Sequence, residues 1–133
     1  MRFRKVLVVF AHAFVGWSLC AATMGIGMAV TSLQVALVVH AIGAPIFFAV
    51  ISVFYFGRYA YTRPLPTALI FVSFVMVVDF FVVALLINRS LAMFASPLGT
   101  WIPFALIFTS TLVTGLLIER VRRQAPPSAE AQR

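Results

Sequence analysis

Four long apolar stretches constrain the fold of this chain more than any other feature. They cover about residues 6–30, 33–57, 65–88 and 98–118. Each is long enough to cross a bilayer as an α-helix, which takes roughly 20 residues. Lipid offers no hydrogen-bond partners, so such stretches must satisfy their own backbone groups as helices. The sequence therefore predicts an all-α membrane protein, with one domain at residues 1–118 made of four antiparallel transmembrane helices.

The composition favours a lipid environment over a water-soluble fold. Hydrophobic residues make up 63% of the chain and charged residues 10%, against about 45–50% and about 25% in soluble domains. The net charge of +7 is also typical of proteins that bind nucleic acid. However, the basic residues flank the apolar stretches, as topology signals do, so we expect a bilayer and no nucleic acid. The single cysteine, Cys20, excludes an internal disulfide.

The distribution of basic residues predicts the orientation of the helices. Of the ten Lys and Arg residues, all except Arg89 fall in the first five residues, in the loop after the second stretch, or in the tail. Four spans put these three segments on one side, which the positive-inside rule assigns to the cytoplasm. We therefore expect both termini in the cytoplasm, a location in the inner or plasma membrane, and a disordered cytoplasmic tail at residues 119–133.

Three ionisable side chains, His12, His40 and Asp79, fall inside the predicted spans. An aspartate near a helix centre costs about 2.5–3.5 kcal/mol on insertion scales, so it should face protein or water. At 1.5 Å per residue, His40 lies roughly 10 Å and Asp79 roughly 13 Å from the same membrane face. We therefore predict that these two residues form a polar pair, whereas His12 belongs to the opposite half of the membrane.

The predicted His40–Asp79 pair has two interpretations. A carboxylate bonded to one imidazole nitrogen would leave the other nitrogen for proton transfer or for coordinating an ion or a metal of undetermined identity. Alternatively, the pair is a structural hydrogen bond between two helices. His12 and Trp17 are secondary candidates. Trp17 lies near mid-membrane, where its indole needs a hydrogen-bond acceptor or stacks on a quinone or haem ring, with plain packing as the alternative.

Small residues at helical spacing predict which faces of the first two helices point inward. Stripes of small residues allow close approach of helix backbones in membranes. The stripes consist of His12, Gly16, Cys20, Thr23 and Gly27 in the first helix, and of Ala36, His40, Gly43, Ala44 and Phe47 in the second. Because each stripe contains a histidine, we expect both histidines to face protein and not lipid.

No catalytic motif accompanies these residues, so the sequence does not predict an enzyme. The leading hypothesis is a small membrane protein that handles protons, ions or small solutes at His40 and Asp79. Four spans enclose little volume, so we expect a homo-oligomer or a membrane-protein partner. This hypothesis needs no cofactor. The alternatives are an electron-transfer subunit associated with quinone or with haem, bound by His12 or His40, and a non-catalytic subunit or assembly factor of a larger complex.

Overall fold

The computed structural model describes residues 2–126, and all regular structure in this range is helical. The main helices are α1 (Arg2–Val30), α2 (Leu33–Arg58), α3 (Pro64–Val78) and α4 (Ile102–Gln124). Shorter elements are a π-helical segment (Asp79–Ile87) that continues α3, a 3-10 turn (Ala92–Ala95) and a π-helical turn (Pro97–Trp101) that leads into α4. Four stretches, Arg2–Val30, Leu33–Arg58, Pro64–Ile87 and Pro97–Gln124, are long and apolar enough to span a membrane.

Local sequence chemistry explains several helix ends. The Ser32 hydroxyl caps α2 by accepting from the backbone N–H of Val35 at 3.4 Å. Proline occupies the first turn of α3, where its missing N–H costs nothing. The helix α4 continues to Gln124. The prediction of a disordered tail is therefore wrong for residues 119–124, which are helical. Residues 127–133 of that predicted tail lie outside the described residues.

The four helices pack in an order that differs from their order in the chain. α1 packs against α2 and α3, and α4 packs against the same two helices. Gly99 lies against Leu37, and Gly115 lies against Phe56, so α2 and α4 progress in the same direction along the bundle. α2 and α3 consequently occupy opposite corners, although only a short connection separates them in sequence.

Aromatic side chains fill the space between these opposite corners. We call Phe48, Tyr55, Phe56 and Phe71 the aromatic core, because all four are buried. The rings of Phe48 and Phe71 lie 5.8 Å apart, and those of Tyr55 and Phe71 lie 6.0 Å apart. Small residues let the backbones close around these rings. The predicted inward positions of Gly16, Cys20, Ala36 and Ala44 are confirmed by their burial.

Two segments at the other end of the bundle are packed far less. In α1, the last buried residue is Cys20, and residues 21–30 contribute none to the core. In the π-helical segment, only Ala84 is buried. We call residues 21–30 and 79–87 the peripheral segments. Most of their large apolar side chains are exposed, which suits contact with lipid or with another protein.

Candidate functional site

A hydrogen bond between α1 and the start of the π-helical segment forms the candidate site. The indole Nε1 of Trp17 donates to Oδ1 of Asp79 at 2.8 Å, and both side chains are half-buried. Trp17 lies near the middle of α1, and Asp79 follows α3 directly. This contact gives the indole N–H of Trp17 an acceptor among apolar side chains, and it gives the carboxylate of Asp79 a hydrogen-bond donor.

The site begins where the backbone changes from α-helical to π-helical geometry. Asp79 is the first residue of the nine-residue π-helical segment, whose wider turn is documented by the bond from the Asn88 N–H to the Val83 carbonyl at 2.8 Å. π-Helical turns inside α-helices are rare and are frequent at functional sites. The carboxylate therefore lies at the junction between the well-packed part of the bundle and one of the peripheral segments.

His40 does not join this site through a hydrogen bond. Within residues 2–126, no hydrogen bond connects His40 with Asp79, and the buried Nδ1 of His40 has no partner. The predicted pairing of these two residues is therefore replaced by the Trp17–Asp79 bond. The packing order explains the difference, because α3 packs against α1 and α4 while His40 lies on α2.

His12 lies among aromatic residues instead of at the carboxylate. Its Nδ1 is 2.7 Å from the Val8 carbonyl, and because a carbonyl only accepts, Nδ1 carries the proton. Its ring lies 5.4 Å from the rings of Tyr55 and Tyr59, in edge-to-face geometry with both. These contacts position His12 as part of the packing between α1 and the end of α2.

A hydroxyl network fixes the connection between α2 and α3 beside His12. The Tyr55 hydroxyl is 2.8 Å from the Thr62 hydroxyl, which is 2.6 Å from that of Thr67. Thr67 in turn donates to the Arg63 carbonyl at 2.8 Å. Ala60 has a φ of 47°, a left-handed conformation that non-glycine residues seldom adopt, and it lies inside this tied connection.

Two buried hydroxyls lie outside the candidate residues predicted from the sequence. Ser52 on α2 and Thr111 on α4 are both fully buried, and neither side-chain oxygen has a hydrogen-bond partner within the described part of the chain. Both helices belong to the packed α2–α4 interface. Hydroxyls in apolar helices ordinarily bond to their own backbone, so their sequence positions alone gave no signal.

The described residues define no metal centre. No group of three or more His, Cys, Asp and Glu side chains within residues 2–126 is placed to hold a metal ion. Two cavities, of about 250 and about 410 Å³, lie near the end of α4 and not at Asp79.

No family model, curated protein or solved structure matches the chain.

Proposed function

We propose that this chain is an integral membrane protein that handles protons or small cations at Asp79. In this proposal Trp17 positions the carboxylate, and His40 supplies a second polar group on a different helix. The supporting observation is the Trp17–Asp79 hydrogen bond inside two helices long and apolar enough to span a membrane. Ionisable residues at such positions are costly and mark ion or proton pathways in membrane proteins.

The geometry of the bond suits reversible binding of a cation. Trp17 occupies Oδ1 of Asp79, and Oδ2 accepts no described hydrogen bond. A carboxylate oxygen accepts a proton or coordinates a cation without displacing the indole. Because indole only donates, Trp17 stays bonded to the carboxylate through such a cycle and orients it. His40, whose Nδ1 is unpartnered, provides a further proton acceptor within the bundle.

The peripheral segments support an assembly of several copies or a complex with a membrane partner. Asp79 opens one of these segments, and residues 21–30 of α1 form the other. A neighbouring chain packed against them would enclose the carboxylate between two proteins. This arrangement would give four short spans the enclosed volume that a pathway needs.

Proton flux into liposomes tests this function. The purified chain is reconstituted with a pH-sensitive dye inside, and a potassium diffusion potential drives proton entry. We expect flux above that of protein-free liposomes, and Asp79→Asn should reduce it by about tenfold or more, because the amide cannot carry the proton. Glu130→Gln is the control, since it removes the same charge from the tail. Proton flux equal to that of protein-free liposomes, together with no uptake of Na⁺ or K⁺ in the same liposomes, would contradict the proposal and favour a non-catalytic subunit.

The proposal includes an orientation with both termini in the cytoplasm. The basic residues at the start of α1, in the 59–63 connection and at the end of α4 support it. Single cysteines at residues 61, 93 and 125, introduced in a Cys20→Ala background, test the orientation by labelling with an impermeant reagent. We expect labelling from outside at residue 93 alone. External labelling at residue 61 would overturn the orientation.

The unpartnered Nδ1 of His40 favours electron transfer as a second candidate function. An imidazole nitrogen binds a haem iron or donates to a quinone oxygen, and this one bonds to neither His12 nor Asp79. Because the atom is buried, a cofactor would reach it only if the surrounding side chains move. The visible spectrum of the protein purified from membranes separates the two candidates. A Soret band lost in His40→Ala would support haem binding, and a colourless protein with proton flux would contradict it.

A further inference from the structure

A cavity with a cationic rim lies at the end of the bundle remote from the polar site. It has a volume of about 250 Å³ and forms where α2 ends and the last turns of α4 pass the 59–63 connection. Arg63, Arg122 and Tyr61 contribute polar groups to its lining, and Phe56 and Ile118 contribute apolar surface. A cavity with this composition suits an anion that carries an apolar portion.

Arg122 is held in place by the backbone of α2. Its Nη2 donates to the carbonyls of Phe56 and Gly57, the latter at 3.0 Å. These carbonyls belong to the last turn of the helix, where they have no helical partner. A guanidinium has five N–H donors in a planar fork, so the bonds through Nη2 leave Nε and Nη1 for another acceptor. The group is therefore preorganised to bind an oxyanion.

Positive charge dominates the surroundings of this cavity. Arg63 and Arg122 line it, and the Lys5 ammonium lies 5.5 Å from the centre of the Tyr61 ring. The one carboxylate in the lining, that of Glu119, lies 3.9 Å from the Arg123 guanidinium. The resulting excess of cations attracts an anion to the cavity.

Exposed apolar residues of α4 favour a lipid as the anion that binds in the cavity. On α4, Leu117 and Val121 precede the lining residues Ile118 and Arg122 in sequence and are exposed, at 56% and 67%. We propose that the cavity binds the phosphate of an anionic phospholipid, with Arg63, Arg122 and the Tyr61 hydroxyl as donors and the acyl chains along α4. Basic pockets between helices at the cytoplasmic face bind such headgroups. The proposal rests on membrane insertion, which is part of the proposed function, but not on proton transfer.

Native mass spectrometry of the full chain in detergent tests this site. The protein is titrated with phosphatidylglycerol, with phosphatidylcholine and with inorganic phosphate. We expect phosphatidylglycerol to bind most tightly, and Arg63→Gln should weaken it about fivefold, the effect of one basic residue at an anionic headgroup. Arg120→Gln is the matched control, because it removes the same charge from α4 outside this cavity. Arg122→Gln should weaken binding as well, but it also removes the bonds to α2.

Two results would overturn the lipid site. Equal weakening by Arg63→Gln and Arg120→Gln would show diffuse attraction by the whole basic end. Inorganic phosphate that binds as tightly as phosphatidylglycerol would show a site for a free anion. Asp79→Asn should bind phosphatidylglycerol like the wild type, so loss of flux with retained lipid binding distinguishes failure of the proposed function from failure of this site.

Discussion

The aromatic core and the peripheral segments differ in what they contribute to the protein. In the aromatic core, Phe48, Tyr55, Phe56 and Phe71 are buried, and a hydroxyl network ties Tyr55 to the connection that follows α2. In residues 21–30 and 79–87, a single residue, Ala84, is buried. Asp79 lies at the border of the two regions. We infer that one region provides stability, while the other leaves the carboxylate accessible to ions or partners.

Truncation of one phenylalanine in each region should give the largest difference. Phe48→Ala should lower the free energy of unfolding by about 3–5 kcal/mol, because it opens a cavity between α1, α2 and α3. Phe81→Ala, in the π-helical segment, should lower it by less than about 1 kcal/mol, since this residue is already 58% exposed. Reversible unfolding in mixed micelles measures both values. Similar losses would contradict the division into two regions.

A smaller difference should appear when a methyl group is added to one glycine in each region. A Cβ at Gly115 would lie 2.7 Å from the Pro64 Cβ and 2.8 Å from the Phe56 ring, so Gly115→Ala should destabilise the protein by about 1–3 kcal/mol. A Cβ at Gly25 meets nothing within 4 Å. Gly25→Ala should therefore stabilise α1 by about 0.5–1 kcal/mol. A destabilising Gly25→Ala would indicate that residues 21–30 pack against another chain.

The sequence was sufficient to predict the helices and part of the two inward stripes. Apolar length predicted the four helices that are long enough to span a membrane, and small residues at helical spacing identified Gly16, Cys20, Ala36 and Ala44 as buried. These features depend on local periodicity, which a single sequence carries. The extension of α4 to Gln124 was missed, because its stabilising contact joins Arg122 to the distant end of α2.

The partner of Asp79 could not be predicted in the same way. The predicted pairing of Asp79 with His40 on α2 depends on helices adjacent in the chain also being neighbours in space. In the structure α3 packs against α1, and the acceptor that the indole of Trp17 requires is Asp79. The sequence alone shows that the indole N–H of Trp17 and the carboxylate of Asp79 each require a hydrogen-bond partner. Only the packing order of the helices shows that these two groups meet.

A pair of double-mutant cycles tests the central claim, that Asp79 is bonded to Trp17 and not to His40. The first cycle combines Trp17→Phe with Asp79→Leu, and the second combines His40→Leu with Asp79→Leu, both measured by unfolding in micelles. We expect a coupling energy of about 0.6–1.7 kcal/mol in the first cycle, the range of hydrogen bonds between membrane helices. The second should give less than about 0.5 kcal/mol, as for residues without a shared contact. Coupling in the His40 cycle with none in the Trp17 cycle would contradict the account.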